Sequence, residues 1–460
     1  MRTRYLIAVP LLLAGAVPAS AADPELTLED APPAADTMMP EPVYSGPLAK
    51  VGKSLHDRGI DLTLDYINIY QNAPSFGVAG GSSANYGMFI LGATGHLSQD
   101  FRLNFVETIN VPSYNTDGYL FDLSNAFFPV PVVDSDTDLT RLTLEADLLD
   151  DRLQIEAGRM GLNRDFLKRG YCGGLACLNS TSAISLNLPG ETVSTWGGRV
   201  SYAVTPLTKL GIGIVDDNPE NWQNGSGWDW ASGDSDGYTA IANITHEETF
   251  MQSANPLRYE VGAYHRSTPY EDALYNSGWG NPTFGPNPTI IVHDSGTTGL
   301  YGQARKVVWS KPSGGRIPEH VAVYGGVFHT FGEGQAYPWE AYAGVEYSGF
   351  LPQNPMTTIG ASVHYIGLSE ERAQYERNAR LFFSGVDEAQ PRDTFMFDVH
   401  ASTGIFNRGI LDVGAAYIVN PNNAVLADFS TGRQKDGFVF YAALAFDLSG
   451  ALGLSPRKGP

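Results

Sequence analysis

RLTLEADLLDDRLQIEAGRM, residues 141–160, is the stretch from which the fold is read. Leu142, Leu144, Ala146 and Leu148 share one face of an extended chain, and Arg141, Thr143, Glu145 and Asp147 share the other. This is a period of two, the pattern of a strand with one apolar and one polar face. Asp150 and Asp151 mark a tight turn, and a second alternating run follows. Extended in both directions, the same reading predicts sixteen strands, at 60–70, 87–97, 101–110, 139–149, 152–160, 193–204, 207–216, 236–247, 257–266, 298–309, 320–331, 338–349, 356–366, 393–404, 408–419 and 436–448. Every second connection is short, as at 98–100, 150–151, 205–206, 350–355 and 405–407. Those between them, at 111–138, 161–192, 217–235, 267–297 and 367–392, run to about twenty residues or more, and 332–337 is the main exception.

A soluble sandwich would also alternate, so alternation alone does not place the chain in a membrane. Aromatic residues near the ends of the apolar faces, Tyr66, Trp196, Trp339, Tyr347 and Phe446, fit girdles at two membrane interfaces. Short turns on one side and long loops on the other fit a bacterial outer-membrane barrel with both termini in the periplasm. Backbone groups in hydrocarbon have no water to pair with, so such a sheet must close on itself. The fold expected is all-β, a transmembrane antiparallel β-barrel over 60–448, preceded by a short periplasmic helix at 47–59 and followed by a tail at 449–460. The helix is read from Pro47 at a first-turn position, from Leu48, Val51 and Leu55 at helical spacing, and from Gly59 as the stop.

Arg2 and Arg4 precede an apolar run from Tyr5 to Val17 and then Ala19-Ser20-Ala21, so residues 1–21 read as an export signal. Residues 22–46, rich in Pro, Ala, Asp and Glu, read as an extended periplasmic tail. The 50 acidic and 29 basic residues give a net charge of -21, which argues against a nucleic-acid partner. In an exported chain the two cysteines, Cys172 and Cys177, are read as one disulfide, because neighbouring residues offer no further metal ligands. No cofactor is expected.

Several motifs compete for a role. Gly233-Asp234-Ser235-Asp236-Gly237 has the form of a hydrolase nucleophile elbow but lacks the strand before it and the helix after it. The nine histidines show no metal-binding spacing. Asp134, Asp136 and Asp138, with Glu145, alternate as calcium ligands do, but Leu139 stands where the sharp turn requires Gly, so a solvated acidic loop is the stronger reading. Trp222, Trp228 and Trp230 lie among amides and carboxylates and could stack on sugar rings, or could form the core of their own loop. Arg141, Glu145, Glu156, Arg199, Arg258 and Glu260 fall on the polar faces of their strands, with Arg159 near the upper end of the fifth. Such charges can line a pore constriction and replace a solute's water, or can staple the wall.

The chain resembles the carbohydrate-selective porins of the outer membrane, the OprB-like family. LHDRGIDLTLDY (55–66), RLTLEADLLDDRLQIEAGRMGLNRDF (141–166), the cysteine pair, VSTWGGRVSYAVTP (193–206), GIVDDNPENW (213–222) and AAYIVNPNNA (415–424) carry the resemblance. It implies a sixteen-stranded barrel narrowed by inward loops and passive diffusion of glucose and related sugars; Arg141, Glu145, Arg159 and Arg199 stand at positions similar to charged or polar ones in the family, and the basic members of this set are implied in the constriction. Outer-membrane lipid is the implied surround, and a homotrimer remains open. The chain departs from the family in ending on Asp447 to Pro460 rather than on an aromatic residue. An anion-preferring porin, an outer-membrane lipid hydrolase and a plugged structural barrel are the competing functions. The loop 111–138 is expected to fold inward.

Overall fold

The computed structural model describes residues 43–77, 80–114, 137–167, 194–217, 235–312, 317–406, 408–422 and 433–456. The export segment 1–21, most of the tail at 22–46, Cys172 and Cys177, the three tryptophans at 222, 228 and 230, and Asp134 and Asp136 lie outside the described residues, as does most of 111–138.

The strands are β1 (Ile60–Ala73), β2 (Ser82–His96), β3 (Phe101–Tyr114), β4 (Thr137–Leu148), β5 (Leu153–Met160), β6 (Thr195–Thr205), β7 (Thr208–Asp217), β8 (Gly237–Glu247) and β9 (Leu257–Arg266), then a two-stranded loop hairpin of β10 (Tyr270–Glu271) and β11 (Val292–His293). They continue as β12 (Thr297–Lys311), β13 (Glu319–Phe331), β14 (Trp339–Ser348), β15 (Thr358–Gly367), β16 (Asp393–Ile405), β17 (Gly409–Val419) and β18 (Gly437–Asp447). All but β10 and β11 form one closed barrel, in which each strand pairs antiparallel with its chain neighbours and β1 pairs with β18 from Asp65↔Asp447 to Asn72↔Phe440. The sixteen expected strands are thus all present.

The faces follow the pleat. Along β13, Ala322, Tyr324 and Phe328 are buried while Val323 and Val327 are exposed. On β14, Glu340 and Glu346 are buried and Trp339 and Val345 are exposed. The outer face is therefore apolar, while the inner face carries the charged and polar side chains together with a patch of buried rings, the arrangement a bilayer around a lined lumen requires.

Turn chemistry closes the short side. Asp150 and Asp151 have φ of 55° and 61° and are bridged by Arg152 N donating to Leu149 O at 3.3 Å, a primed turn whose twist suits a hairpin. On the same side lie two helices, α1 (Ala49–His56) and, outside the expected elements, a terminal turn that we number α3 (Leu448–Leu452). Leu48 N donates to Leu452 O at 2.8 Å, and a Cβ on Gly52 would lie 2.2 Å from Gly453 O, so glycine permits the close approach of the two segments.

The long loops hold structure that periodicity does not announce. Between β15 and β16 runs α2 (Glu370–Ser384), started by the Ser369 hydroxyl accepting from Arg372 N and stopped by Gly385 in the left-handed region. Its Asn378 side chain donates to Gly280 O at 2.9 Å in the loop between β9 and β12, so two long loops meet above the strands. Trp279, Phe284, Phe382 and Phe383 gather at this junction, with ring centroids 4.7–5.6 Å apart.

Candidate functional site: a charged lumen wall and an inward segment

Register brings the expected charges together. Arg102 lies opposite Glu145, Glu145 opposite Glu156, and Glu156 opposite Arg199, a row running across β3, β4, β5 and β6. Two carboxylates directly opposite each other repel, so this row folds only if cations surround it. Arg141 supplies one, from Nη2 to Glu156 Oε1 at 2.6 Å and to Glu145 Oε2 at 3.2 Å. Arg199 supplies another, from Nε to Glu156 Oε2 at 2.8 Å and from Nη1 to Gln154 Oε1 at 2.9 Å. Arg102 bonds closely to Asp147 and reaches Glu145 Oε1 at 3.3 Å.

The remaining cation comes from a loop. After β5 the chain makes a 3-10 turn at Leu162–Arg164, and Arg164 bonds closely to Glu156 and reaches Asp165 Oδ2 at 2.9 Å. Asp165 in turn lies 2.8 Å from Arg199 Nε. Burial would lower the Arg164 pKa, but the Asp165 and Glu156 carboxylates outweigh it and hold the guanidinium above its ordinary value. Among the described residues the network holds four guanidiniums (Arg102, Arg141, Arg164, Arg199) and four carboxylates (Glu145, Asp147, Glu156, Asp165), a balance of zero.

Exposure separates its members. The Arg164 side chain is 39% exposed, Arg102 31% and Arg141 19%, whereas Arg199 is 5% and Glu156 0% exposed. The first three thus keep exposed surface, while Arg199 and Glu156 are enclosed behind them. Arg102 and Arg164 were not among the residues singled out from sequence. Arg164 sits in the quoted GLNRDF run, where a loop arginine next to an acid gives no periodic signal.

The other half of the inward segment is apolar. Leu162, Phe166 and Leu167 pack with Met160 against Val215, Ile241, Tyr264, Tyr301 and Phe328 on the inner faces of β7, β8, β9, β12 and β13. Gly213 makes the seat: a Cβ there would lie 2.7 Å from Leu162 Cδ2 and 2.8 Å from Phe166 Cε2. Residues 161–167 thus run from the charged wall to the aromatic one. The described part of the lumen is narrowed by this segment, while the loop 111–138 expected for that role lies almost wholly outside the described residues.

Three of the expected charges stand apart from the network. Arg159 lies opposite Leu142 and Trp196, on the face of the sheet that carries exposed Trp196 and Ile155, and is itself 2% exposed. Its Nε donates to Leu139 O at 2.7 Å and Ser194 Oγ at 2.9 Å, and its Nη2 reaches Asp138 Oδ1 at 3.1 Å. Glu260 is fully buried on the aromatic wall, where Asn243, Tyr301, Gln303 and Leu167 N all donate to it. Arg258 bonds closely to Glu247 at the short-turn side. Asp138 and Glu145, two of the four calcium candidates, are engaged by arginines, and no described group of three or more ligands could hold a metal.

A second polar chain crosses β12 to β18. Arg305 bonds closely to Glu346, His400 Nδ1 lies 2.9 Å from Asp398 Oδ2, and Tyr441 OH donates to Asp398 Oδ1 at 2.8 Å. Ser362 Oγ is 3.0 Å from His364 Nε2, a pairing that the scattered histidines of the sequence do not reveal. Asp398, in register with Ser362, is already held by His400 and Tyr441, and both Ser362 and His364 are buried on the inner wall rather than on the lipid side.

A closed sixteen-stranded barrel with a charged wall and an inward segment invites comparison with known channels. The model of the carbohydrate-selective porins, OprB family, matches residues 93–431. The chain belongs to this family. It is similar to Porin B of Pseudomonas aeruginosa, with 27% identity over 151 residues, 31% of this chain and 32% of that protein. It is also similar to the putative porin QuiX of Acinetobacter baylyi, with 28% identity over 145 residues, 29% of this chain and 32% of that one. The matched stretches thus span about a third of these curated relatives. Among solved structures, the high-pH structure of Pseudomonas putida OprB superposes with a TM-score of 0.71 at 18% identity, covering 86% of this chain and 95% of that one. The low-pH structure of the same protein gives 0.51 at 13% identity, covering 88% and 97%. These likenesses are of fold. Family and fold make this porin an integral outer-membrane channel.

Proposed function

We propose that this porin lets neutral carbohydrates diffuse passively through a water-filled lumen, and that Arg164, Arg102 and Arg141, backed by Glu145 and Glu156, form the surface the sugar touches. The observation that carries the reading is the charge balance of that wall. Four guanidiniums and four carboxylates side by side present donors and acceptors without a net field, which suits a polyol whose hydroxyls do both. An anion channel would require a cationic excess, and the pairing removes it. Arg199 and Glu156 hold the surface in place, and Arg159, engaged on Leu139, Ser194 and Asp138, belongs to the wall's upper edge.

Liposome swelling tests this. Vesicles carrying the purified protein should swell in isosmotic glucose, and more slowly in phosphate of similar size. Equal rates for both would replace the sugar reading with a general pore, and swelling in phosphate alone would replace it with an anion channel.

A further inference from the structure

Leu167 has φ of 58°, the left-handed region that a leucine rarely occupies. At that point its N–H leaves the inward segment and donates to Glu260 Oε1 at 2.8 Å on β9, four strands round the wall from β5, where the segment began. Glu260 is fully buried and built to receive it. Asn243 Nδ2 at 2.8 Å, Tyr301 OH at 2.9 Å and Gln303 Nε2 at 2.9 Å also donate to its carboxylate. Gln303 is oriented in turn, because Tyr342 OH donates to its Oε1 at 2.9 Å and leaves the amide nitrogen for Glu260. Apolar contact is non-directional and would let Phe166 and Leu162 slide along β7. The bond from Leu167 N fixes their position.

We propose that Glu260 is a positioning residue, the latch that holds residues 161–167 in the lumen and so sets the width of the channel. This goes beyond the choice of solute, since it requires only an open lumen and not any particular sugar contact. The Leu167 backbone takes up its left-handed conformation in order to present the N–H, and the buried carboxylate holds it there. Removing the carboxylate releases the segment from the wall, while the network around Glu156 still ties Arg164 and Asp165 to the near side.

Single-channel conductance in planar bilayers tests this with four variants, each scored for a folded barrel by heat-modifiable gel mobility. Glu260→Ala should raise conductance roughly 1.5- to 3-fold, because the segment no longer narrows the path. Leu167→Pro changes no strand but removes the N–H and forces a negative φ, and should give the same rise. The double variant should conduct no more than either single one, as expected when two substitutions break one contact. Glu260→Gln, which keeps an oxygen for Leu167 N, should conduct as wild type with unchanged ion preference. Wild-type conductance in Glu260→Ala or in Leu167→Pro would overturn the latch, and so would additive increases. An altered ion preference in Glu260→Gln without a change in conductance would make Glu260 a charge felt by the solute instead. If Glu260→Ala does not fold, Leu167→Pro and Glu260→Gln decide the matter. A raised conductance in Glu260→Ala and Leu167→Pro, found together with no block of the wild-type current by glucose, would count against the proposed sugar contacts and leave the latch untouched.

Discussion

The two sides of the lumen solve one problem by different means. On β3 to β6 the wall is built of paired charges, and Glu156, fully buried, is approached by Arg141, Arg164 and Arg199. On β7 to β13 it is built largely of rings and branched chains, and one of its buried charges, Glu260, is met by amides, a phenol and a backbone N–H rather than by cations. The charged side offers a solute exposed donors, since Arg164, Arg102 and Arg141 all retain lumen exposure. The aromatic side offers an anchorage. On the reading proposed above the charged wall recognises and the aromatic wall narrows, and the segment 161–167 joins them.

The sharpest way to break this division is to remove Glu156. Glu156→Ala leaves Arg141, Arg164 and Arg199 facing one another without their shared carboxylate, and breaking a buried pair in this way costs about 3–5 kcal/mol. Unfolding of the micelle-bound barrel in urea should register this loss, and any protein that folds should turn anion-selective. Unchanged stability would mean that the arginines find other partners.

Gly213→Leu attacks the aromatic side. Its side chain would occupy the space of Leu162 and Phe166, at a cost of about 1–3 kcal/mol, and should widen the channel by unseating the segment. A narrower channel, read from single-channel conductance, would place the displaced segment in the path rather than out of it.

Arg164→Ala separates recognition from width. With one of four cations gone the wall becomes net negative, so the reversal potential in a salt gradient should move toward cation preference. Block of the current by glucose should weaken about 3- to 10-fold, the worth of a partly exposed charge-assisted hydrogen bond. Unaltered block would assign Arg164 to stapling.

The smallest effect concerns the loop above the aromatic wall. Asp272 accepts from Leu274 N at 2.8 Å and Tyr275 N at 3.0 Å and lies 3.2 Å from His293 Nε2. Burial pushes its pKa up, but the two N–H groups and the imidazole outweigh burial and hold the carboxyl below its usual range. A depressed carboxylate stabilises the loop at neutral pH, and that contribution is lost as pH falls below about 4 and through the folded value. Hydrogen exchange at 270–293 should accelerate in acid before exchange in the strands does. Simultaneous acceleration would deny the loop a separate stability.

What was legible in the sequence follows from the same physics. Strands that face lipid on one side and water on the other must alternate, so every barrel strand could be read, and the polar rows of β4, β5 and β6 predicted that Arg141, Glu145, Glu156 and Arg199 would meet. Helix α2 was overlooked although Ser369 and Gly385 punctuate it, because Glu376 and Arg380 are fully buried and blur its two faces. Arg164 escaped because a single 3-10 turn has no period. Arg159 sits one position past Gly158, whose φ of 141° bends the strand end, so strand position alone did not locate its partners. Glu260 was recognised as inward, but its purpose depends on Leu167, distant in sequence and brought to it only by the closed barrel.

The most direct measurement is the current through single wild-type channels in a planar bilayer while glucose, maltose and phosphate are titrated in turn. The account predicts open channels, saturable block by the two sugars, little block by phosphate and weak preference between small cations and anions. Block by phosphate alone, with strong anion preference, would contradict a charge-balanced sugar path.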